Sequence, residues 1–136
     1  MAGLPRAGST LLSSILNQNP RVYSGPSSPV LSTMYVIENH LFQDELFHGY
    51  PKPEQGHAII SNIINQFYDD VKKPVVVDKN RAWVARVPYI EQYIGQKAKI
   101  ICPVRDIDEI LTSMIMMIRR NPYKEGQPRI NFIDEQ

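Results

Sequence analysis

The sequence predicts an α/β protein in which a parallel β-sheet is flanked by helices. Three observations carry that prediction. Two short β-branched runs, "PVVVDK" at residues 74–79 and "AKIICPVR" at residues 98–105, have the length and apolar density of strands buried on both faces. Helical periodicities alternate with these runs, as a layered α/β sandwich requires. A glycine-bearing turn, "GLPRAGSTLL" at residues 3–12, leads directly into a helical pattern. The 136 residues suffice for one hydrophobic core, so residues 1–136 are read as a single domain.

The elements follow in order. "MAGL" at residues 1–4 is the last fragment of a buried strand entering the glycine turn. Leu11, Leu12, Ile15 and Leu16 share one face of a helix that Pro20 cannot continue. "RVYS" at residues 21–24 reads as a short strand and "GPSSP" as a loop. Two helical stretches span residues 30–47 and 54–71, the second marked by Ile59, Ile60, Ile63, Ile64 and Phe67. Between the two apolar runs, "VPYIEQYIG" is a short helix with Pro88 in its first turn and Gly95 at its C-terminal cap. "DIDEILTSMIMMIRR" is a helix with Asp106 and Glu109 in a capping arrangement. Its predicted buried face is Ile107, Ile110, Leu111, Met114, Ile115 and Ile118, and Arg119 and Arg120 suit its C-terminal dipole. The tail, residues 121–136, completes no element. With so little strand before the glycine turn, the expectation is a native protein longer at both ends.

Composition narrows the function. A 43% hydrophobic, 21% charged chain of net charge +1 is globular and gives no bulk electrostatic basis for binding nucleic acid or a membrane. No apolar run reaches the length of a membrane span and no signal peptide opens the chain, so a cytoplasmic location is expected. Cys102, the single cysteine, is expected to be a buried strand residue in a reducing compartment.

The chemistry-bearing residues gather at three places. In the turn, Gly3, Gly8 and Thr10 outline a phosphate-binding loop, but Ser9 stands where a nucleotide hydrolase carries lysine, and Arg6 supplies a cation instead. No apolar strand ends in an aspartate placed to hold magnesium, unless Asp78 serves. Such a loop suits a phosphate that is not hydrolysed with a metal; an ordinary Gly-Pro turn before a helix is the alternative. Arg105 closes the second apolar run, on the edge where parallel sheets bind ligands, and Ser113 follows two helical turns later. A salt bridge to Asp106 or Asp108 is the alternative for Arg105. Lys79 closes the first apolar run. Arg6, Lys79 and Arg105 are therefore expected to converge on one crevice.

Together these segments resemble a known family. "GLPRAGSTLLSSILNQNP" resembles the 5′-phosphosulfate-binding loop of the PAPS-dependent sulfotransferases, usually close to P-[RK]-[ST]-G-[TS]-T-x-L, and is nearest the tyrosylprotein branch. "KAKIICPVRDIDEILTSM" resembles their 3′-phosphate segment, and "VVVDKNRAWVARVPYIEQYIG" their lysine-bearing strand and following helix. The resemblance covers about the first 25 residues and then residues 74–114. It implies a P-loop nucleoside-triphosphate-hydrolase-like fold and transfer of a sulfuryl group from PAPS to an acceptor hydroxyl or amine, leaving adenosine 3′,5′-bisphosphate, without a metal. It implies that Pro5, Arg6, Ala7, Gly8, Ser9 and Thr10 hold the 5′-phosphosulfate, with Arg6 and Lys79 catalytic. It assigns Arg105 and Ser113 to the 3′-phosphate, and residues 30–73 to a helical region on the acceptor side.

The sequence also departs from the family. Ser28 falls where the tyrosylprotein branch has a catalytic glutamate; Glu38, His40, Asp44 and His48 are the candidates for a base. Ile107-Asp108 replaces a frequent Pro-Arg, and the glycine-lysine loop that clamps the 3′-phosphate in many members has no counterpart. The "MIMMI" methionines are expected in the core; Trp83 either stacks on a ligand ring or packs on the short helix, and His57 has no role. Two other readings stand beside sulfuryl transfer: a magnesium-dependent P-loop kinase or hydrolase, and a non-catalytic nucleotide-binding fragment. An exposed sheet edge would favour a homo-oligomer.

Overall fold

The computed structural model of the chain describes residues 1–121. Its elements are α1 (Ser9–Asn17), β1 (Val22–Ser27), α2 (Val30–Gln43), α3 (Glu45–Gly49), α4 (Pro53–Phe67), β2 (Val75–Lys79), a 3-10 turn (Arg81–Arg86), α5 (Val87–Ile94) and α6 (Ile107–Arg120). β1 and β2 pair in parallel, from Val22 opposite Val75 to Ser24 opposite Val77, with a bulge before Ser27 meets Lys79. Parallel pairing needs a long crossover, and α2, α3 and α4 supply it. The strand at the predicted loop "GPSSP" thus continues to Ser27, because the bulge carries Gly25 and Pro26 within the pairing.

Met1 and Ala2 widen the sheet on the other side of β2. The Met1 nitrogen donates to the Asp78 carbonyl, Asn80 N–H donates to Met1 O at 3.0 Å, and Ala2 N–H donates to Ile101 O at 3.0 Å. These two residues lie between β2 and the segment at residue 101. That segment, expected as a buried strand over 98–105, forms no strand, and Cys102 is exposed. The backbone contact this segment makes with the N-terminal residues is the Ala2 N–H bond to Ile101 O, and Pro103 has no N–H with which to extend a ladder.

The core lies between the sheet and the helical crossover. Val30, Met34 and Ile60 are its most deeply buried side chains, joined by Trp83, Ile90 and Tyr93. Gly56 lets α4 approach α2 closely, since a Cβ there would come within 3.1 Å of Leu41 and Phe42 side chains. Asp44 breaks the single helix expected over 30–47. Its extended backbone ends α2, and its carboxylate caps α3 by accepting from Leu46 N–H at 2.8 Å and Phe47 N–H at 3.3 Å.

Two helices present faces the periodicity did not foretell. α1 buries Ser13, whose hydroxyl shares a 2.8 Å hydrogen bond with Ser24 Oγ and donates to Gly25 O at 2.8 Å, while Leu11 and Ile15 face outward. A short polar side chain allows the close helix–strand approach, and its hydroxyl is satisfied there. In α6 only Ile110 is buried; Ile107, Leu111, Ile115 and Ile118 are exposed, because no other element of the described residues packs along that helix. Asp106 caps α6 by accepting from Asp108 N–H at 2.9 Å, whereas Glu109, expected in the capping box, pairs with Arg105. No helix among the described residues is long and apolar enough to cross a membrane. Beyond Asn121 the tail lies outside the described residues.

Four tyrosines knit the crossover to the rest. Tyr93 OH donates to Glu38, Tyr35 and Tyr89 stack at 4.9 Å, and Tyr68 OH donates to Asp78 at 2.7 Å. Burial pushes Tyr68, Tyr89 and Tyr93 well above the ordinary phenol value, with Asp78 reinforcing the shift at Tyr68 and Glu38 at the other two. In the unfolded chain these phenols ionise near pH 10, so above that pH the unfolded state releases protons the folded state keeps. Stability is therefore full below about pH 10 and falls as pH rises further. Absorbance titration at alkaline pH should show these three phenolates emerging only with loss of helical circular dichroism. Titration of all three in the folded state would refute it.

Candidate active site

The site is built from the N-terminal turn, the start of α1, the end of β2 and the start of α6. Gly3 has φ of 126°, and a Cβ there would sit 3.2 Å from Pro103 O and 3.3 Å from Cys102 Sγ, so only glycine fits between the turn and residue 103. Gly8, φ 94°, caps α1 in a left-handed conformation that no side chain has to fill. The first-turn N–H groups of α1 have no intrahelical acceptors and open beside Ser9 and Thr10.

β2 delivers Lys79 to this helix end. Its Nζ lies 3.5 Å from Thr10 Oγ1, and the residue is 8% exposed. Among the described residues no carboxylate lies within ion-pairing distance of it. A cavity of about 470 Å³ borders Lys79, Pro5, Arg6, Ser9 and Thr10, with Ser27, Ser32 and Arg81 on its far walls. Alternation along β2 sends the neighbouring Asp78 to the opposite face. There its carboxylate accepts from Trp83 Nε1 at 2.5 Å, from Tyr68 OH at 2.7 Å and from Ser28 Oγ. Asp78, considered for magnesium, is thus engaged by three donors away from the cavity. Trp83 is a core residue rather than a ligand-stacking ring.

A second cavity, about 630 Å³, adjoins the first. It is bordered by Arg6, Arg105, Thr112, Ser113, Met116 and Arg120, among others. Arg105 donates through Nε to Glu109 at 2.7 Å and through Nη1 to Arg6 O at 3.2 Å, so its acidic partner is neither Asp106 nor Asp108. Arg6 Nε donates to Ser113 Oγ at 3.0 Å. The three cations expected in one crevice therefore occupy two adjoining cavities, with Arg6 common to both. Ala7 turns from both and lines a third, smaller cavity of about 320 Å³ with Leu4, Val84 and Val104. Met116 and Met117 border the second cavity instead of filling the core.

None of the residues considered as a base borders the Lys79 cavity. Glu38 accepts from Tyr93, Asp44 caps α3, and His40 and His48 sit exposed on their helices. His57 contacts Gln92 O at 3.0 Å and packs on Tyr93. Ser28 is buried with its hydroxyl turned to Asp78. Sequence reasoning missed Ser27, Ser32 and Arg81 on the cavity wall, which carry no motif. It also missed the Asp78 cluster, whose only signal is a carboxylate closing a valine run.

An α/β fold with helices about a parallel sheet and a glycine loop opening a helix beside strand-end cations is a class of protein suited to holding an anion at the helix N-terminus. A model of the sulfotransferase family matches residues 1–135, nearly the whole chain, and the chain belongs to that family. Sulfuryl transfer is the general chemistry of its members. Neither the curated proteins nor the solved structures provide a match.

The Asp78 cluster yields a stability prediction. Asp78→Ala leaves three donors without their acceptor and should lower unfolding stability by about 2–3 kcal/mol in urea, with an unchanged denaturant slope. Asp78→Asn keeps the shape but turns an NH₂ toward at least one donor and should fall between. An asparagine variant as stable as the parent would show that the charge is dispensable.

Proposed function

We propose that the chain binds PAPS and supports transfer of its sulfuryl group to an acceptor hydroxyl or amine. The observation that carries this reading is Lys79: a buried ammonium beside Thr10 at a helix N-terminus, with no carboxylate near it among the described residues. Burying an unpaired charge is costly, so a site holding one is complementary to an anion.

The residues fit the donor along its length. The loop from Pro5 to Thr10 receives the 5′-phosphosulfate through the first-turn N–H groups of α1 and the hydroxyls of Ser9 and Thr10. Arg105 and Ser113, on the second cavity, receive the 3′-phosphate, and Arg6 stands between the two ends. In the reaction the acceptor oxygen or nitrogen bonds to sulfur as the bond from sulfur to the bridging phosphate oxygen breaks, and the acceptor gives up a proton. Lys79 holds the charge that develops on the departing oxygen. Acceptors approach from the wall formed by Ser27, Ser32 and Arg81, where the crossover helices of residues 30–73 begin.

Calorimetry with adenosine 3′,5′-bisphosphate and, separately, ATP with magnesium tests the donor. Binding of the bisphosphate with little response to ATP is expected; preference for magnesium-ATP would move the chain to the kinase reading. Lys79→Ala should slow PAPS breakdown, followed by chromatography with water as acceptor, by about 10²-fold. Bisphosphate affinity should change far less in that variant. Arg105→Ala should reduce the preference for the bisphosphate over adenosine 5′-monophosphate, and an unchanged preference would remove Arg105 from the 3′-phosphate site.

A further inference from the structure

Arg6 departs from the rest of its loop in backbone and side chain alike. It is the one residue other than glycine, among those described, with positive φ, at 66°. An L-residue held in the left-handed region carries about 1 kcal/mol of strain, which its surroundings must over-determine. Arg105 does so from one side, donating to the Arg6 carbonyl at 3.2 Å. Ser113 does so from the other, accepting from Arg6 Nε at 3.0 Å. The guanidinium is thereby carried out of the phosphosulfate loop and onto the start of the neighbouring cavity.

We propose that Arg6 determines specificity for the 3′-phosphate, by supplying the uncompensated positive charge beside Ser113. This rests on the PAPS reading above and deepens it. Charge balance distinguishes Arg6 from its neighbours. Arg105 already holds Glu109 at 2.7 Å, so that pair presents little net charge, and Ser113 is neutral. Arg6 has no carboxylate within ion-pairing distance among the described residues, and only its Nε has a side-chain partner, leaving the Nη donors to form a fork on an incoming phosphate. Arg6 borders both cavities.

Affinities for adenosine 3′,5′-bisphosphate and adenosine 5′-monophosphate, measured by calorimetry on the parent, Arg6→Gly and Arg6→Lys, test it. Glycine adopts φ near +66° without strain, which offsets its greater freedom in the unfolded chain, so Arg6→Gly should fold about as well as the parent. It should bind the bisphosphate about tenfold more weakly or worse, with a clearly smaller loss for the monophosphate, whose 5′-phosphate the helix N-terminus still receives. Arg6→Lys, which retains charge but lacks the fork, should fall between. Equal losses for both nucleotides would overturn the proposal and return Arg6 to the 5′ loop; so would an unchanged preference in Arg6→Gly. A parent that does not distinguish the two nucleotides would overturn the PAPS reading itself.

Discussion

The Asp78 carboxylate is the constraint on which the site depends. Three donors reach it from three places in the chain: Ser28 at the entrance to α2, Tyr68 just past the end of α4, and Trp83 in the 3-10 turn. The backbone around it is equally committed, since the Met1 nitrogen donates to Asp78 O and Asn80 N–H donates to Met1 O. The end of β2 is therefore fixed on both faces and at one edge. Because strand side chains alternate, everything that fixes Asp78 also fixes Lys79 on the opposite face. A lysine stem is flexible in itself. Here its place beside Thr10 follows from a carboxylate the ligand would never touch.

The loop on the other side of the cavity is fixed by different means. Gly3 is forced by the approach of residues 102 and 103, and Gly8 by the left-handed cap of α1. Between them Arg6 is tied at its carbonyl and at its guanidinium to the segment that begins α6. The candidate anion site is thus assembled from the N-terminal turn and the segment around residues 102–113, joined there by these polar contacts. Polar contacts of this kind are weak at an exposed surface. What gives the arrangement its chemistry is the uneven neutralisation of its cations: Arg105 is paired, whereas Lys79 and Arg6 have no acidic partner among the described residues.

Much of the architecture was legible in the sequence because it depends on local signals. The β2 run, the α5 helix with Pro88 and Gly95, and the extent of α6 follow from β-branching, punctuation and period, all read within a dozen residues. What failed depends on partners remote in sequence. The "AKIICPVR" run has strand chemistry, but a strand exists only through its neighbour, and the contact here is the Ala2 N–H bond to Ile101 O. The same distinction explains Cys102 and the exposed stripe of α6, whose apolar character is real and whose burial depends on what packs against it. In α1 the error ran the other way: Ser13, unremarkable in a pattern of leucines, is the buried residue because Ser24 and Gly25 O lie within hydrogen-bonding distance. The candidate site divides likewise. Arg6, Lys79, Arg105 and Ser113 could be picked from motifs, but their division between two cavities required the fold.

Ser28 shows how a position can change its duty within a family pattern. The sequence resemblance leads one to expect a carboxylate there, and this chain places a buried hydroxyl that donates to Asp78. A glutamate at residue 28 would set a second carboxylate against Asp78, and like charges at such a distance cannot both ionise at neutral pH without a large cost. The serine is therefore required by the Asp78 cluster as long as that cluster anchors β2. The polar groups left facing the cavity from this side are Ser27 and Ser32, one residue before the buried hydroxyl and one helical turn beyond it. Stabilising the strand end that carries Lys79 and keeping an ionised base at residue 28 are in physical conflict, and in this chain the strand end prevails.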